Sequence, residues 1–283
     1  MRKEYTVRRL AKAFSVSPSG YYAYLKRPKK VPSERDWRDK EKIQFLYDEV
    51  GGTYGAKRIA GTLKEQNGYV INHKRVVRLM REMNLSSKVR RKKSSIEKKH
   101  IAAGYIYPNL LNRDFNVFFP NHKWVMDVTE ITFGDTKIYV SALMDLFNRE
   151  PIGFQVGFHS NTAMMEATIR QAMVVRQLTD LSQVIIHTDQ GNVYRSYRYR
   201  ELSGQLGFIP SMSRNANCHD NAMIECFFSH LKVEYPFLLP MLSVEQLMAD
   251  LPKYASFYAE KRSQKRLGYL SPSSFLAKYR KSA

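Results

Sequence analysis

Cysteine is almost missing from this chain: Cys218 and Cys226 are the only two in 283 residues. Neither has a neighbour at the CxxC spacing that zinc sites use, so both are expected to be ordinary reduced thiols. Long apolar runs are missing too. No stretch approaches the roughly 18 residues of a membrane-spanning helix. Met1-Arg2-Lys3-Glu4 is charged like the start of a signal peptide, but Arg8 and Arg9 interrupt any apolar region behind it. A cytoplasmic protein with no membrane partner is expected. The third shortage is negative charge, with 26 Asp and Glu against 46 Lys and Arg, a formal net charge of +20.

What is present is a core-forming composition, 43% hydrophobic and 12% aromatic, which excludes a disordered chain. The length suits two domains of about 150 residues each. The basic surplus is uneven. Residues 1–110 hold 27 Lys and Arg against 10 Asp and Glu, whereas residues 111–283 hold 19 against 16. A field concentrated in the front of the chain favours a polyanion, because Lys and Arg displace the counterions condensed on phosphates.

In that basic front, Val7, Leu10 and Phe14 recur at helical spacing. A polar turn follows, and Tyr21, Tyr22, Tyr24 and Leu25 begin a second helix. This outline fits a helix-turn-helix and a plain helical hairpin equally well. Lys26-Arg27-Pro28-Lys29-Lys30-Val31-Pro32 is a proline-broken linker. The next pair is clearer: a helix over Tyr54–Leu63, a turn at Asn67-Gly68, and a second helix capped by Asn72 with Val76, Leu79, Met80 and Met83 as its apolar stripe. Lys74, Arg75, Arg78 and Arg81 point largely away from that stripe. A basic second helix after a tight turn suits the DNA major groove, although a basic face can also simply meet water. Lys88–Lys99, with Arg90-Arg91-Lys92-Lys93, is expected to be a mobile basic linker.

From Trp124 the periodicity changes. Trp124–Phe133, Ile138–Met144 and Ile152–Phe158 are rich in β-branched and aromatic residues and separated by turn signals at Gly134-Asp135 and Asn148–Pro151. They predict an antiparallel meander. A helix over Thr162–Val175 capped by Asn161, a short buried strand Val184–His187, a further strand Phe208–Met212 and a helix Asn221–Val233 capped by Asp220 complete a mixed sheet with helices.

Three carboxylates stand out in this half. Asp127 lies between apolar neighbours, where an ionised side chain is penalised unless a cation or donors offset the lost hydration. A hydrogen-bonded strand-end Asp is the commoner explanation for any one such residue. Asp189 directly follows a buried strand, where open α/β sheets place their ligand sites, though a turn ahead of Gly191 would also use an Asp. Glu225 falls in the second turn of a helix; a fully solvated Glu is the default there, yet the helix's other residues are too apolar to leave every face wet. Phosphoryl transfer on DNA needs a few fixed carboxylates to hold two divalent ions about 3.5–4 Å apart, and a strand, a strand end and a helix can supply them. Asn221 and Lys232 share the helix face of Glu225, so Lys232 can meet a phosphate. His187, Asp145 and Asp220 are expected to be a packed strand residue, a turn residue and an N-cap.

At these motifs the chain resembles the transposases of the insertion sequence three family, relatives of the retroviral integrases. The resemblance rests on Trp124–Thr129, Asp145–Arg149, His187–Gly191 and Asp220–Phe228, with 35 residues between Asp189 and Glu225. Upstream, Tyr54–Ile59 and Lys74–Met80 look like that family's helix-turn-helix; downstream, Lys261-Arg262 and Leu267–Pro272 look like its closing motif. Ala259 and Ala216 stand where the family usually has Asn and Gly.

The resemblance implies an α/β, ribonuclease-H-like mixed sheet flanked by helices and preceded by an all-α DNA-binding region. The boundaries expected are a basic helical region at 1–45, the helix-turn-helix at 46–88, a basic linker at 89–115, and the catalytic core with a C-terminal helical extension at 116–283. It further implies that Asp127, Asp189 and Glu225 are catalytic and bind two Mg²⁺ ions, with Mn²⁺ as a substitute. Asn221 would support them, and Lys57, Arg58, Lys74, Arg75, Arg78 and Lys232 would contact DNA. The partners expected are double-stranded DNA, both transposon ends and target, a homo-oligomer bridging two ends, and the product of an upstream reading frame. The alternatives are an inactive relic that binds element ends as a regulator, and a structure-selective ribonuclease of the same fold.

Overall fold

The structure is a computed structural model, and it describes residues 6–14, 16–26, 33–88, 104–214, 218–239 and 243–282. The Arg90–Lys93 run and Ala216 therefore lie outside the described residues. The chain divides into two compact units, residues 1–39 and 40–283, the division falling within helix α3. The first contains helices α1 (Val7–Ala13) and α2 (Pro18–Lys26), followed by the start of α3 (Glu34–Glu49).

In the second unit, α4 (Ala56–Asn67) and α5 (His73–Glu82) form the expected pair. Gly68 ends α4 in the left-handed conformation, φ 64°, where its N–H reaches the Leu63 and Lys64 carbonyls. The Asn72 side chain then starts α5 by accepting from the Lys74 N–H at 2.9 Å. Val76, Leu79 and Met80 are buried against Ile43, Leu46, Ile59 and Leu63, with Met83 packed at the edge. The i, i+3, i+4 stripe is thus the core-facing side of α5.

The rest of this unit is built on a five-stranded sheet of β1 (Lys123–Phe133), β2 (Thr136–Asp145), β3 (Glu150–Gly157), β4 (Ile185–Thr188) and β5 (Ile209–Met212). Its order is β3-β2-β1-β4-β5. The first three strands are an antiparallel meander, while β1–β4 and β4–β5 are parallel. Helices α6 (Thr162–Arg176) and α7 (Tyr197–Leu206) lie with one apolar cluster, and α8 (Ala222–Leu238) and α9 (Val244–Glu260) with the other. Strand alternation sorts β1 between the two: Trp124 and Met126 belong to the α6 side, Val125 to the α8 side. The chain ends with α10 (Pro272–Ser282). This is the ribonuclease-H-like, integrase-core architecture.

Two buried polar networks tie the sequence motifs together. Asp145, expected to be a turn residue, is instead fully buried at the end of β2, accepting from the Asn121 and Phe147 N–H groups and lying 3.4 Å from Arg176. Arg176 also pairs with Glu150 at 2.9 Å. Asn148 donates to the Pro272 carbonyl, and the Ser273 hydroxyl to Glu150, so the Asp145–Arg149 and Leu267–Pro272 motifs meet here. In the second network, Glu234 on α8 accepts two 2.7 Å bonds from Arg262 and a third from the Tyr254 hydroxyl. The Ser263 N–H next to it donates to the buried Tyr54 hydroxyl at 2.7 Å, joining the helix-turn-helix to the C-terminal segment. A Cβ at Gly61 of α4 would overlap the Tyr269 ring, so only glycine fits that approach.

Asp220 also differs from expectation. A 3₁₀ turn, Cys218–Asn221, precedes α8, and Asn221 holds the cap position without a side-chain cap bond. The Asp220 carboxylate, fully buried, accepts instead from Arg214, Arg113 and Asn109. With α8 beginning at Ala222, Glu225 sits in its first turn rather than its second.

Candidate active site

Period-two alternation puts Asp127 on the same face of β1 as Val125, the face covered by α8. Asp189 arrives by register. Val125 pairs with His187 across the parallel β1–β4 ladder, so two residues further on, Asp189, just past the end of β4, comes to the side of Asp127. Glu225 comes from the first turn of α8 on that same side of the sheet. The structure therefore brings the three predicted carboxylates into one neighbourhood from a strand, a strand end and a helix.

Local bonds set the first two. The Val128 N–H donates to Asp127 Oδ1 at 2.7 Å. The Gly191 N–H donates to Asp189 Oδ1 at 2.9 Å, and a Cβ on Gly191 would lie equally close to that oxygen. Asp127 and Asp189 are half-buried, and Glu225 is exposed. Burial first, then the charges of Asp189 and Glu225, push the Asp127 carboxyl well above the usual carboxylate range, opposed by the Val128 N–H and Lys232. Burial also raises Asp189, with the Gly191 N–H opposing. Among the described residues no three His, Cys, Asp or Glu side chains are drawn tightly enough together to form a preformed metal-ligand cluster. What the site has is Asp127 under the charges of Asp189 and Glu225, an all-oxygen donor set that suits a hard divalent cation and offers no thiolate.

Lys232 is exposed on α8, near enough for its charge to favour ionised Asp127. Asn221 is buried, and both its amide atoms lack a hydrogen-bond partner among the described residues. Tyr194 is a neighbour that the sequence pattern did not reveal. It is buried with a hydroxyl that has no partner among the described residues, and its ionisation is opposed by burial and then by the charges of Asp127 and Asp189. The only sequence signal was a tyrosine five residues after Asp189 in the same loop. His187 is a packed strand residue, as expected. Its Nδ1 lies 2.8 Å from the Ser211 hydroxyl, and burial lowers it to about 4, so it is neutral near pH 7.

The predicted DNA contacts fall into two kinds. Lys57 and Lys74 are exposed, and Arg75 is half-buried on α5. Arg78 reaches Glu82 at 2.6 Å, and Glu82 also pairs with Lys40. Arg58 does not stand with them: its guanidinium lies 4.9 Å from the centre of the buried Tyr54 ring, within the electrostatic reach of Arg262 and Glu234.

Comparison with known proteins fits this architecture. Residues 34–93 match the HTH-like domain family, and residues 119–218 and 225–279 match two Integrase core domain families. The InsK protein of insertion sequence element IS150 from Escherichia coli (strain K12) is 34% identical over 272 residues, covering 96% of this chain and 94% of its own length. The transposase for insertion sequence element IS904 of Lactococcus lactis subsp. lactis (strain IL1403) is 33% identical over 253 residues, 88% of this chain and 97% of its own. Among solved structures, the HTLV-2 integrase catalytic core domain in complex with magnesium aligns with 56% of this chain and 99% of its own, at a TM-score of 0.45 and 16% identity. On its similarity to the insertion-sequence proteins over nearly its whole length, and on its HTH-like and integrase core segments, the chain belongs to the insertion sequence three (IS3) family of transposases.

Proposed function

We propose that this transposase cleaves phosphodiesters at the ends of an insertion sequence and joins the liberated 3′-hydroxyl to target DNA, with Asp127, Asp189 and Glu225 holding two Mg²⁺ ions. The observation that carries this reading is the convergence of a strand, a strand end and a helix on Asp127, Asp189 and Glu225, where the other two charges raise the Asp127 carboxyl in a protein of net charge +20. A fold gains nothing from such repulsion unless a cation relieves it. When bound, Mg²⁺, or Mn²⁺ in its place, would supply Lewis acidity at the attacking and leaving oxygens of the phosphodiester.

The protein's own groups have separate tasks. Asp127 and Asp189 are fixed by backbone N–H donors and set the donor geometry. Glu225 is exposed in the first turn of α8 and completes the set. Lys232, on the same helix, neutralises a phosphate, and the Asn221 amide and Tyr194 hydroxyl offer bonding capacity beside the reacting strand. Recognition falls to residues 46–88, where α5 enters the major groove through Lys74, Arg75 and Arg78 while Lys57 meets the backbone. Residues 116–283 carry the chemistry. The working assembly is a multimer bridging both element ends, supplied where needed with the upstream reading-frame product.

The test is Mg²⁺-dependent nicking and joining of DNA that carries the element's own ends, comparing wild type with Glu225→Gln. Loss of activity in the variant with DNA binding retained supports the proposal. Equal activity in both refutes the site, and binding without activity in either returns the relic reading.

A further inference from the structure

A second cationic feature lies outside the carboxylate site. A groove of about 460 Å³ runs between the segment before β1, the β2–β3 turn and the C-terminal segment, lined by Asn116, Phe118, Phe147, Arg149, Arg266 and Phe275 among others. Arg149 occupies the left-handed backbone region, φ 58°, which disfavours a residue with a side chain. A turn built only for shape would place Gly or Asn there. Its guanidinium lies 3.9 Å from the Met223 thioether and makes no carboxylate pair among the described residues. Arg266 is aimed by Asn116, whose Oδ1 accepts from Nη2 at 2.7 Å, and it too has no carboxylate partner among them. The two guanidiniums repel: burial and then the Arg266 charge hold Arg149 below the ordinary arginine range.

Rings surround these charges. Phe147 is fixed by Phe275 at 5.6 Å and Tyr279 at 4.7 Å between ring centres. Phe118 is 85% exposed. A pair of unneutralised guanidiniums with a free ring beside them is the composition of a single-strand nucleic-acid platform, where cations take phosphates and rings take base faces. Met223 stands two residues before Glu225 and about 200° around α8 from it. Through Arg149 the groove reaches the first turn of α8, the turn that also carries Glu225.

We propose that this groove is a nucleotide subsite that clasps a phosphodiester of an unpaired DNA strand between Arg149 and Arg266 and stacks its base on Phe118. It would hold the strand flanking the reacting phosphodiester. The inference rests on the DNA-joining function proposed above.

The test uses the full chain and a DNA duplex with a single-stranded flank carrying 5-iodouracil. Photocrosslinking should label Phe118. Arg149→Gln with Arg266→Gln should weaken binding of the flanked duplex about tenfold and lower the salt slope by about 0.7 for each phosphate no longer neutralised. Binding of blunt duplex should change little. Arg149→Lys with Arg266→Lys, matched to the Gln pair by thermal melting, should restore most of the affinity. Crosslinks elsewhere together with unchanged affinity overturn the proposal. So does competition by a polyglutamate peptide that the Gln pair abolishes while oligonucleotide affinity stays unchanged, since the groove would then serve an acidic protein partner. Crosslinking in Glu225→Gln, or in a wild type that fails to nick, keeps the subsite separate from the fate of the proposed chemistry.

Discussion

Two glutamates on α8 stand in opposite surroundings. At its start, Glu225 adds its charge to Asp127 and Asp189 across the sheet face. Nine residues later, Glu234 is buried and clamped by Arg262, whose pairing outweighs burial and holds that carboxyl below its ordinary range. Asp220 repeats the second pattern with Arg214 and Arg113. In a chain with 20 surplus positive charges, arginines are abundant, yet Asp127 lies under the charges of two carboxylates with Lys232 opposing them rather than in an arginine clamp. Neutralised carboxylates hold the fold together here, whereas the charges of Asp189 and Glu225 raise the Asp127 carboxyl, the place where the proposed function would bring in a cation.

The largest expected effect breaks the repelling side. Glu225→Gln should reduce nicking and joining by more than the roughly 10- to 100-fold that even outer partners of a metal site cost, with DNA binding intact by gel shift. On the neutralised side, Arg262→Ala strands a buried Glu234 and should lower unfolding free energy by about 3–5 kcal/mol in a urea titration. Replacing both partners, Arg262→Met with Glu234→Leu, should recover most of that stability; if the pair is no better than the single variant, the clamp is misassigned. Gly61→Ala drives a methyl into the Tyr269 ring and should destabilise by about 1–3 kcal/mol, and Tyr269→Ala should suppress the defect in a double-mutant cycle.

Smaller effects sharpen the contrast through pH and salt. Asp127 is raised, so the folded state binds more protons than the unfolded one between the ordinary carboxylate value and the raised one. Stability in chelator should therefore fall as pH climbs through that window. Asp127→Asn should melt higher than wild type above the window and no higher below it, and Mg²⁺ should erase the difference. Glu234 is shifted the other way, so its contribution is present above the ordinary carboxylate range and is lost as pH falls through its lowered value. Last, Arg75→Ala with Arg78→Ala should weaken duplex binding and reduce the salt slope by about 0.9 for each phosphate left without its cation. An unchanged slope would take α5 out of the groove.

Much of this architecture is legible in the amino-acid sequence. Alternation and turn chemistry locate all five strands, and Asn72 and Asn161 are recognisable caps because a short acceptor ahead of an apolar period has few other uses. The carboxylates are visible because they sit where burial makes an ionised side chain expensive. Long-range pairing is not legible. Asp145 and Asp220 look like turn and cap residues from their neighbours in sequence, and only folding brings Arg176, Arg113 and Arg214 to them. Arg58 groups with the DNA contacts by its basic surroundings, whereas its companions Tyr54, Glu234 and Arg262 are scattered over 209 positions. Tyr194 is hidden for the same reason, since nothing in a loop tyrosine says that it will be buried within electrostatic reach of two aspartates.

The Glu234 clamp has a genetic consequence. From Glu225 to Glu234, α8 is a rod about 13.5 Å long, with a carboxylate of the proposed site at one end and, at the other, a residue locked to the segment that seats Tyr54 and Tyr269. A shift in how α4 rests on that segment is expected to reach Glu225 along α8. Second-site suppressors of a weakened catalytic centre should therefore map to positions 54–61 and 262–269, far along the chain from the residue they rescue.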